Sequence, residues 1–255
     1  VWLIVTLVLN GLTAYWLALA LARGHVPAAL LGGLVFAAFP TLQGHLSVGH
    51  IGVLAVYGLP LFVLYWWRAL FADLLPPRDG LSGEASWREV LWGGVWFAVA
   101  ALGMTSQVIY LLLPVILFSG LYALAASGRD VMPRGRAWHR WPVTRAAAMI
   151  AVGGAIMLVF FGPLLTPAGR AEVAHLKEAG RVAFSTDLLA FVSPSPFGPL
   201  ADLGLVPGYA RDVLGTNSAE GSAYLGLVVV ALALVALLTQ KAARPWLVIA
   251  LGAMV

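Results

Sequence analysis

Long apolar blocks separated by short basic segments constrain this chain more than any other feature. Of its 255 residues, 61% are hydrophobic and 10% are charged, whereas soluble domains average about 25% charged residues. A helix needs about 20 apolar residues to cross a hydrocarbon core of about 30 Å. The sequence therefore predicts an all-α fold, a polytopic transmembrane bundle of about eight hydrophobic helices.

The boundaries of the spans follow from the polar interruptions. The block over residues 90–126 would be about 55 Å long as one helix, which exceeds the bilayer, and its only polar interruption is Gly103-Met-Thr-Ser-Gln107. We therefore expect a hairpin there, with Thr105, Ser106 and Gln107 satisfying the backbone groups freed by the turn. The other predicted spans cover residues 1–22, 27–39, 51–70, 146–165, 223–239 and 245 onward.

Basic residues set the orientation of these spans, since Lys and Arg are enriched in short cytoplasmic loops. With Arg23 placed inside, 11 of the 15 basic residues fall on inside segments and four fall outside. We expect a multi-pass protein of the bacterial plasma (inner) membrane that contacts membrane lipid. The high pI, near 9.7, then reflects cytoplasmic anchors and gives no reason to expect a nucleic-acid partner.

The domain organisation is expected to be simple. Residues 1–255 form a single transmembrane domain, which we interpret as a fragment cut at both ends, and residues 166–222 form an extracytoplasmic loop within it. Thr166-Pro167 predicts a helix start and Gly180 its end; a second short helix is expected from Ser185 or Thr186. The chain has no cysteine, which excludes disulfides and thiolate metal sites.

Two histidines are candidate ligand-binding residues. His45 and His50 lie in a repeated Gly-His pattern within the polar stretch 41–50, between the second and third spans on the outside. Histidine near neutral pH serves as acid, base or ligand, and the alternative is that both are polar loop residues at the interface.

Charged residues of the outer loop supply the other candidates. Its basic residues could bind a phosphate or anionic lipid headgroups: Arg170, Lys177 and Arg181. Glu172 and His175 have a spacing that some metal sites use, but chance explains it better, so no metal site is predicted. Two acidic residues are weak candidates for catalysis, Glu220 and Asp187. The sequence gives no evidence of a cofactor, and a bound divalent cation is kept as an alternative.

A family pattern is visible in several segments. They are Asn10-Gly-Leu-Thr-Ala-Tyr-Trp, Leu31-Gly-Gly-Leu-Val-Phe, Gly44-His-Leu-Ser-Val-Gly-His50, Thr186-Asp-Leu-Leu-Ala-Phe-Val-Ser-Pro194 and Tyr224-Leu-Gly226. In these the chain resembles the C-type glycosyltransferase (GT-C) superfamily, including the YfhO-like group and dolichyl-phosphate-mannose-type mannosyltransferases. The resemblance implies transfer of a sugar from a polyprenyl-phosphate carrier on the outer membrane face.

The same resemblance implies an essential acidic residue in the first outer loop. Residues 41–50 contain no carboxylate, so we expect that residue before Val1. Two other classes fit eight helices: a transporter or lipid flippase, and a non-catalytic membrane protein of envelope assembly. Charge-coupled transport is disfavoured, because the predicted spans carry no ionisable residue away from their ends.

Overall fold

The computed structural model describes residues 1–47, 49, 54–71, 86–103, 112, 115–117, 119–121, 142–173, 203, 226–240 and 247. Every secondary-structure element in these residues is helical, so the predicted all-α class holds for this part of the chain. The α-helices are α1 (Trp2–Leu21), α2 (Val26–Ala37), α3 (Pro40–Ser47), α4 (Gly58–Phe71), α5 (Trp87–Gly103), α6 (Pro142–Phe161), α7 (Pro167–Val173) and α8 (Leu227–Thr239); a 3-10 turn covers Gly162–Leu165.

Helices α1 and α2 form an antiparallel hairpin. Helix α1 ends with two hydrogen bonds, from Gly24 N–H to the Leu19 carbonyl at 2.8 Å and from Arg23 N–H to the Ala20 carbonyl at 3.3 Å. This is a Schellman motif, and Arg23 occupies its left-handed position with φ 53°. His25 Nδ1 then accepts from Ala28 N–H at 3.2 Å, which caps the start of α2.

Helix α4 corrects the predicted third span. Residues 51–70 were expected as one continuous span, but residues 54–57 are not helical and α4 begins only at Gly58. Pro60 lies in its first turn, where the missing N–H has no partner within the helix. At 14 residues, α4 is about 21 Å long and cannot cross the hydrocarbon core alone. The preceding polar stretch is helical as α3.

Helices α4 and α5 pack antiparallel at close range. At one end, the Arg68 guanidinium contacts the Glu89 carboxylate at 2.7 Å. At the other end, a β-carbon on Gly58 would lie 2.6 Å from the Ala100 backbone nitrogen, so only glycine permits this approach.

The described residues before and after the predicted hairpin lie near opposite ends of α4. A helix continued from Gly103 to Ser119 would carry Ser119 about 24 Å farther from the Arg68 end. Instead, Trp66 Nε1–H donates to Ser119 Oγ at 2.6 Å near that end. Ser119 therefore lies near the Arg68 end of α4, and the predicted turn residues 104–107 lie outside the described residues.

Helix α6 runs parallel to α5. A β-carbon on Gly93 would contact Met149, one on Gly94 would lie 2.6 Å from Val152 Cβ, and one on Gly153 would contact Phe97. The residue numbers of these contacting pairs increase along both helices, so α5 and α6 are parallel. The helices share a buried core that includes Phe62, Trp66, Val90, Ala101 and Met149.

The predicted helix start after α6 is confirmed. Thr166 Oγ1 accepts from Gly169 N–H at 3.1 Å, the usual N-cap bond, and Pro167 occupies the first helical position of α7. The expected end at Gly180 and the second helix from Ser185 or Thr186 lie outside the described residues.

Two helical stretches are long and apolar enough to cross a membrane: Trp2–Leu21 and Val143–Leu165. In their most apolar windows only 22% and 11% of the residues are buried, whereas the core helix of a soluble protein is mostly buried. Leu158, Val159 and Phe160 on α6 are among the exposed apolar residues. These properties support membrane association.

The chain forms two compact units. The first contains residues 1–37, 55–160 and 245–255, and the second contains residues 38–54 and 161–244. The shared core of α4, α5 and α6 belongs to the first unit; α3, α7 and α8 belong to the second.

Candidate functional site

A buried asparagine lies near the middle of α1. Asn10 is completely buried, and its Oδ1 accepts from Val56 N–H at 3.2 Å. Val56 belongs to the non-helical residues just before α4, where a backbone N–H has no helical partner. An unpaired buried N–H is costly, so Asn10 supplies the acceptor that makes this interruption of the helix stable.

Asn10 belongs to a polar stripe on one face of α1. Thr6 and Thr13 are one turn away on either side and are also buried, as the spacing i, i+4, i+7 requires. The Thr13 hydroxyl donates to the Leu9 carbonyl of its own helix at 2.9 Å. Within the described part of the chain, the Thr6 hydroxyl has no hydrogen-bond partner. The stripe thus combines a long-range bond at Asn10, local bonds of the Thr13 hydroxyl within α1 and a Thr6 hydroxyl without a partner among the described residues.

Residues of three other chain segments lie at the depth of Asn10 along α1, and we term this depth the Asn10 level. A β-carbon on the adjacent Gly11 would lie 3.3 Å from Ala37 Cβ, at the end of α2. Ala55 precedes Val56, and a β-carbon on Gly103 would lie 2.5 Å from the Ala55 carbonyl oxygen. Ala37 of α2, Gly103 of α5 and the residues just before α4 therefore lie at or next to this level.

The predicted ligand residue His45 lies on α3, within the segment that leaves α2 and returns to α4. Its side chain is 1% exposed. Leu42 and Gly44 of the same helix are also buried. His45 is therefore a buried helical residue, and the alternative of a polar loop residue at the interface does not describe it. His50 lies outside the described residues.

The opposite end of the first unit carries charge, and we term it the basic end: Arg23, Arg68, Glu89 and Arg145. Glu89 pairs with Arg68 and also accepts from Ser86 N–H at 2.8 Å, while Glu89 N–H donates to Ser86 Oγ at 3.3 Å. This reciprocal pair is a capping box. Arg145 is buried. It precedes Met149 by four residues, as Glu89 precedes Gly93, and Gly93 lies against Met149. Arg145 and Glu89 are therefore at the same depth.

The remaining predicted site residues are only partly described. Arg170 lies on α7 and is exposed, which suits either a lipid headgroup or a phosphate. Lys177, Arg181, Asp187, Glu220 and His175 lie outside the described residues. Among the residues that the structure describes, no three His, Asp or Glu side chains cluster as metal ligands.

Sequence reasoning missed Asn10 as a site residue and missed the capping box. The capping box could have been predicted, because Ser86-Trp-Arg-Glu89 has the required spacing immediately before an apolar helix. Asn10 had a weaker signal, a lone amide in an otherwise apolar span. Its partner is 46 residues away, which no local pattern reveals.

Comparison with known proteins gives a family without a described activity. No curated protein and no solved structure matches the chain. One family model, described as a domain of unknown function (DUF6311), matches residues 1–254. Because that match covers nearly the whole chain, the protein belongs to the DUF6311 family.

Proposed function

We propose that this protein is a multi-pass bacterial plasma-membrane glycosyltransferase of the GT-C type, which transfers a sugar from a polyprenyl-phosphate carrier on the outer membrane face. The proposal includes about eight membrane helices, with residues 166–222 outside. Support for the membrane part comes from α1 and α6, which have spanning length and mostly unburied apolar side chains. Lipid would cover these surfaces.

The observation that carries the functional part is the burial of His45. An ionisable side chain inside an apolar membrane protein is usually functional, and His45 is 1% exposed on the connection assigned to the outer side. The GT-C resemblance includes this Gly-His segment and supplies the reaction class. The basic residues Arg170, Lys177 and Arg181 would assist in binding the carrier phosphate, since guanidinium groups form paired bonds to phosphate oxygens.

A turnover assay tests the proposal. The full-length protein in proteoliposomes would be given a polyprenyl-phosphate-linked radiolabelled sugar, and loss of label from the carrier would be measured. A charge-assisted hydrogen bond contributes about 1.5–3 kcal/mol, so His45→Ala and Arg181→Ala should each lower turnover roughly tenfold or more. His25→Ala, an exposed histidine at the basic end, is the control and should retain turnover.

Two results would contradict the proposal. Full turnover in both variants would remove these residues from the site. Transport of an unmodified solute by the protein, with no release of sugar from the carrier, would replace the transferase with the transporter alternative.

A further inference from the structure

We infer that the basic end of the first unit binds the phosphate groups of anionic lipids in the leaflet that it faces, through the exposed side chains of Arg23 and Arg88. The inference rests on the membrane association of α1 and α6, and it does not require sugar transfer. Its geometric support is that arginines from four segments of the first unit lie at one depth.

Helices α1 and α4 bring their arginines to the same depth. Both run away from the Asn10 level in the same direction, because α1 packs beyond Asn10 against the core that α4 shares with α5 and α6. The last residue of α1, Leu21, is about 17 Å from Asn10 along the axis, and Arg23 follows it. Arg68 is about 15 Å from the start of α4. The two arginines therefore lie within about one helical turn of the same plane.

Side-chain contacts place the other two arginines at this depth. Arg88 directly precedes Glu89, whose carboxylate contacts the Arg68 guanidinium at 2.7 Å. Arg145 is level with Glu89, because α5 and α6 pack against each other one turn farther along both helices. The first unit thus collects one arginine from each of α4, α5 and α6, and one from the end of α1, in a single layer.

The four arginines differ in exposure. Arg145 is 6% exposed and the Arg68 side chain is 20% exposed, so these two lie largely within the protein. Arg23 and Arg88 are exposed. Trp87, beside Arg88, is 44% exposed, and tryptophan is enriched at the membrane–water interface. The exposed part of the layer therefore combines two guanidinium groups with an interfacial aromatic ring.

The positive charge of this layer exceeds the negative charge around it. Glu89 is the only acidic residue among the described residues of the first unit. One of its oxygens contacts Arg68 and the other accepts from Ser86 N–H, so both are engaged. Over the whole sequence, the segments assigned to the inside carry 11 basic and five acidic residues. This side is therefore positively charged even when every acidic residue of those segments is counted.

A lipid surface is the partner that fits a layer of cations at one depth. With 20 residues, α1 is about 30 Å long, which equals the hydrocarbon thickness of a typical bilayer. When α1 crosses the membrane, its Leu21 end therefore lies at the level of the headgroups. Headgroup phosphates occupy a plane at that level, and guanidinium groups form paired hydrogen bonds to phosphate oxygens.

Competition between two lipids tests the inference. The full chain would be placed in neutral detergent micelles with equal amounts of phosphatidylglycerol and phosphatidylcholine, and the bound lipids counted by native mass spectrometry. Phosphatidylglycerol should be retained preferentially. Arg23→Gln and Arg88→Gln should each lower the bound ratio of phosphatidylglycerol to phosphatidylcholine about fivefold, the equivalent of about 1 kcal/mol for one basic residue at an anionic surface.

Matched variants and a second anion separate the possible causes. Arg23→Lys and Arg88→Lys keep the charge and should keep most of the preference. Inorganic phosphate should lower phosphatidylglycerol binding no more than chloride does at equal ionic strength, because both only screen the charges.

Four results would overturn the inference. They are equal retention of the two lipids by the unchanged chain, an unaltered ratio in both Gln variants, an equal loss in the Lys and Gln variants, and specific displacement by inorganic phosphate. The last result would assign the layer to a free phosphate. Sugar turnover is measured separately, so a missing lipid preference with intact turnover would defeat this inference and leave the proposed function standing.

Discussion

The two ends of the first unit stop their helices in different ways. At the basic end the stops are local: a Schellman motif closes α1 at Arg23, His25 caps α2 and a capping box opens α5. At the Asn10 level, the start of α4 depends on a side chain 46 residues away. The basic end is thus specified by short sequence patterns, whereas the Asn10 level is specified by packing of α1 against α4.

This difference has a physical cause. Helix ends near water can use solvent as well as their own neighbours to satisfy free backbone groups. A backbone group buried inside the protein has no water, so protein groups must supply its partner. The single amide in the middle of α1 performs that role for Val56. We therefore expect substitutions at the Asn10 level to destabilise the protein more than substitutions of the caps at the basic end.

The largest effect is expected for Asn10→Leu. It removes the acceptor from Val56 N–H and leaves that donor buried, which costs about 1–3 kcal/mol. Thermal unfolding of the full chain in detergent, followed by circular dichroism, would measure the loss. Thr13→Val is the matched control on the same buried face, since its hydroxyl bonds only within α1, and it should change stability by less than Asn10→Leu.

Thr6→Val sharpens the same comparison. Its hydroxyl is buried, and within the described residues it has no hydrogen-bond partner, so an isosteric methyl group should be neutral or stabilising. The account of the Asn10 level would be contradicted if Thr6→Val destabilised the protein as much as Asn10→Leu did.

A smaller effect is expected at the basic end for Ser86→Ala. The substitution removes the N-cap acceptor of α5, which typically contributes about 1 kcal/mol, while water can reach the exposed end of the helix. Ser86→Thr keeps the hydroxyl and should restore most of the stability in the same unfolding measurement. The account would be contradicted if Ser86→Ala lowered the stability of the protein more than Asn10→Leu did.

The sequence predicted the long helices well because composition determines them. The first span was expected over residues 1–22 and is helical over Trp2–Leu21; the sixth was expected over 146–165 and its helix covers Pro142–Phe161. The Thr166-Pro167 start was also predicted, because it depends on neighbouring residues. The continuous span over 51–70 was wrong, since the apolar run continues through residues 54–57 while the backbone there is held by Asn10.

The candidate site was predictable only in part. His45 was identified from its residue type and its glycine neighbours, but its burial depends on tertiary packing that the pattern does not contain. The carboxylate–guanidinium pair of Glu89 and Arg68 was missed because the partners are separated by a charged loop, where several pairings are equally compatible with the sequence. The glycosyl-transfer hypothesis rests on resemblance and remains a prediction.

The most direct test of the central claim, that this chain crosses the membrane with its basic end inside, is thiol accessibility in intact cells. Single cysteines would replace Ser86, at the basic end, and Ala168, on α7; both are exposed, and the chain has no other thiol. A membrane-impermeant maleimide should label residue 168 in intact cells, and residue 86 only after the cells are permeabilised. Labelling of residue 86, but not of residue 168, in intact cells would contradict the claim.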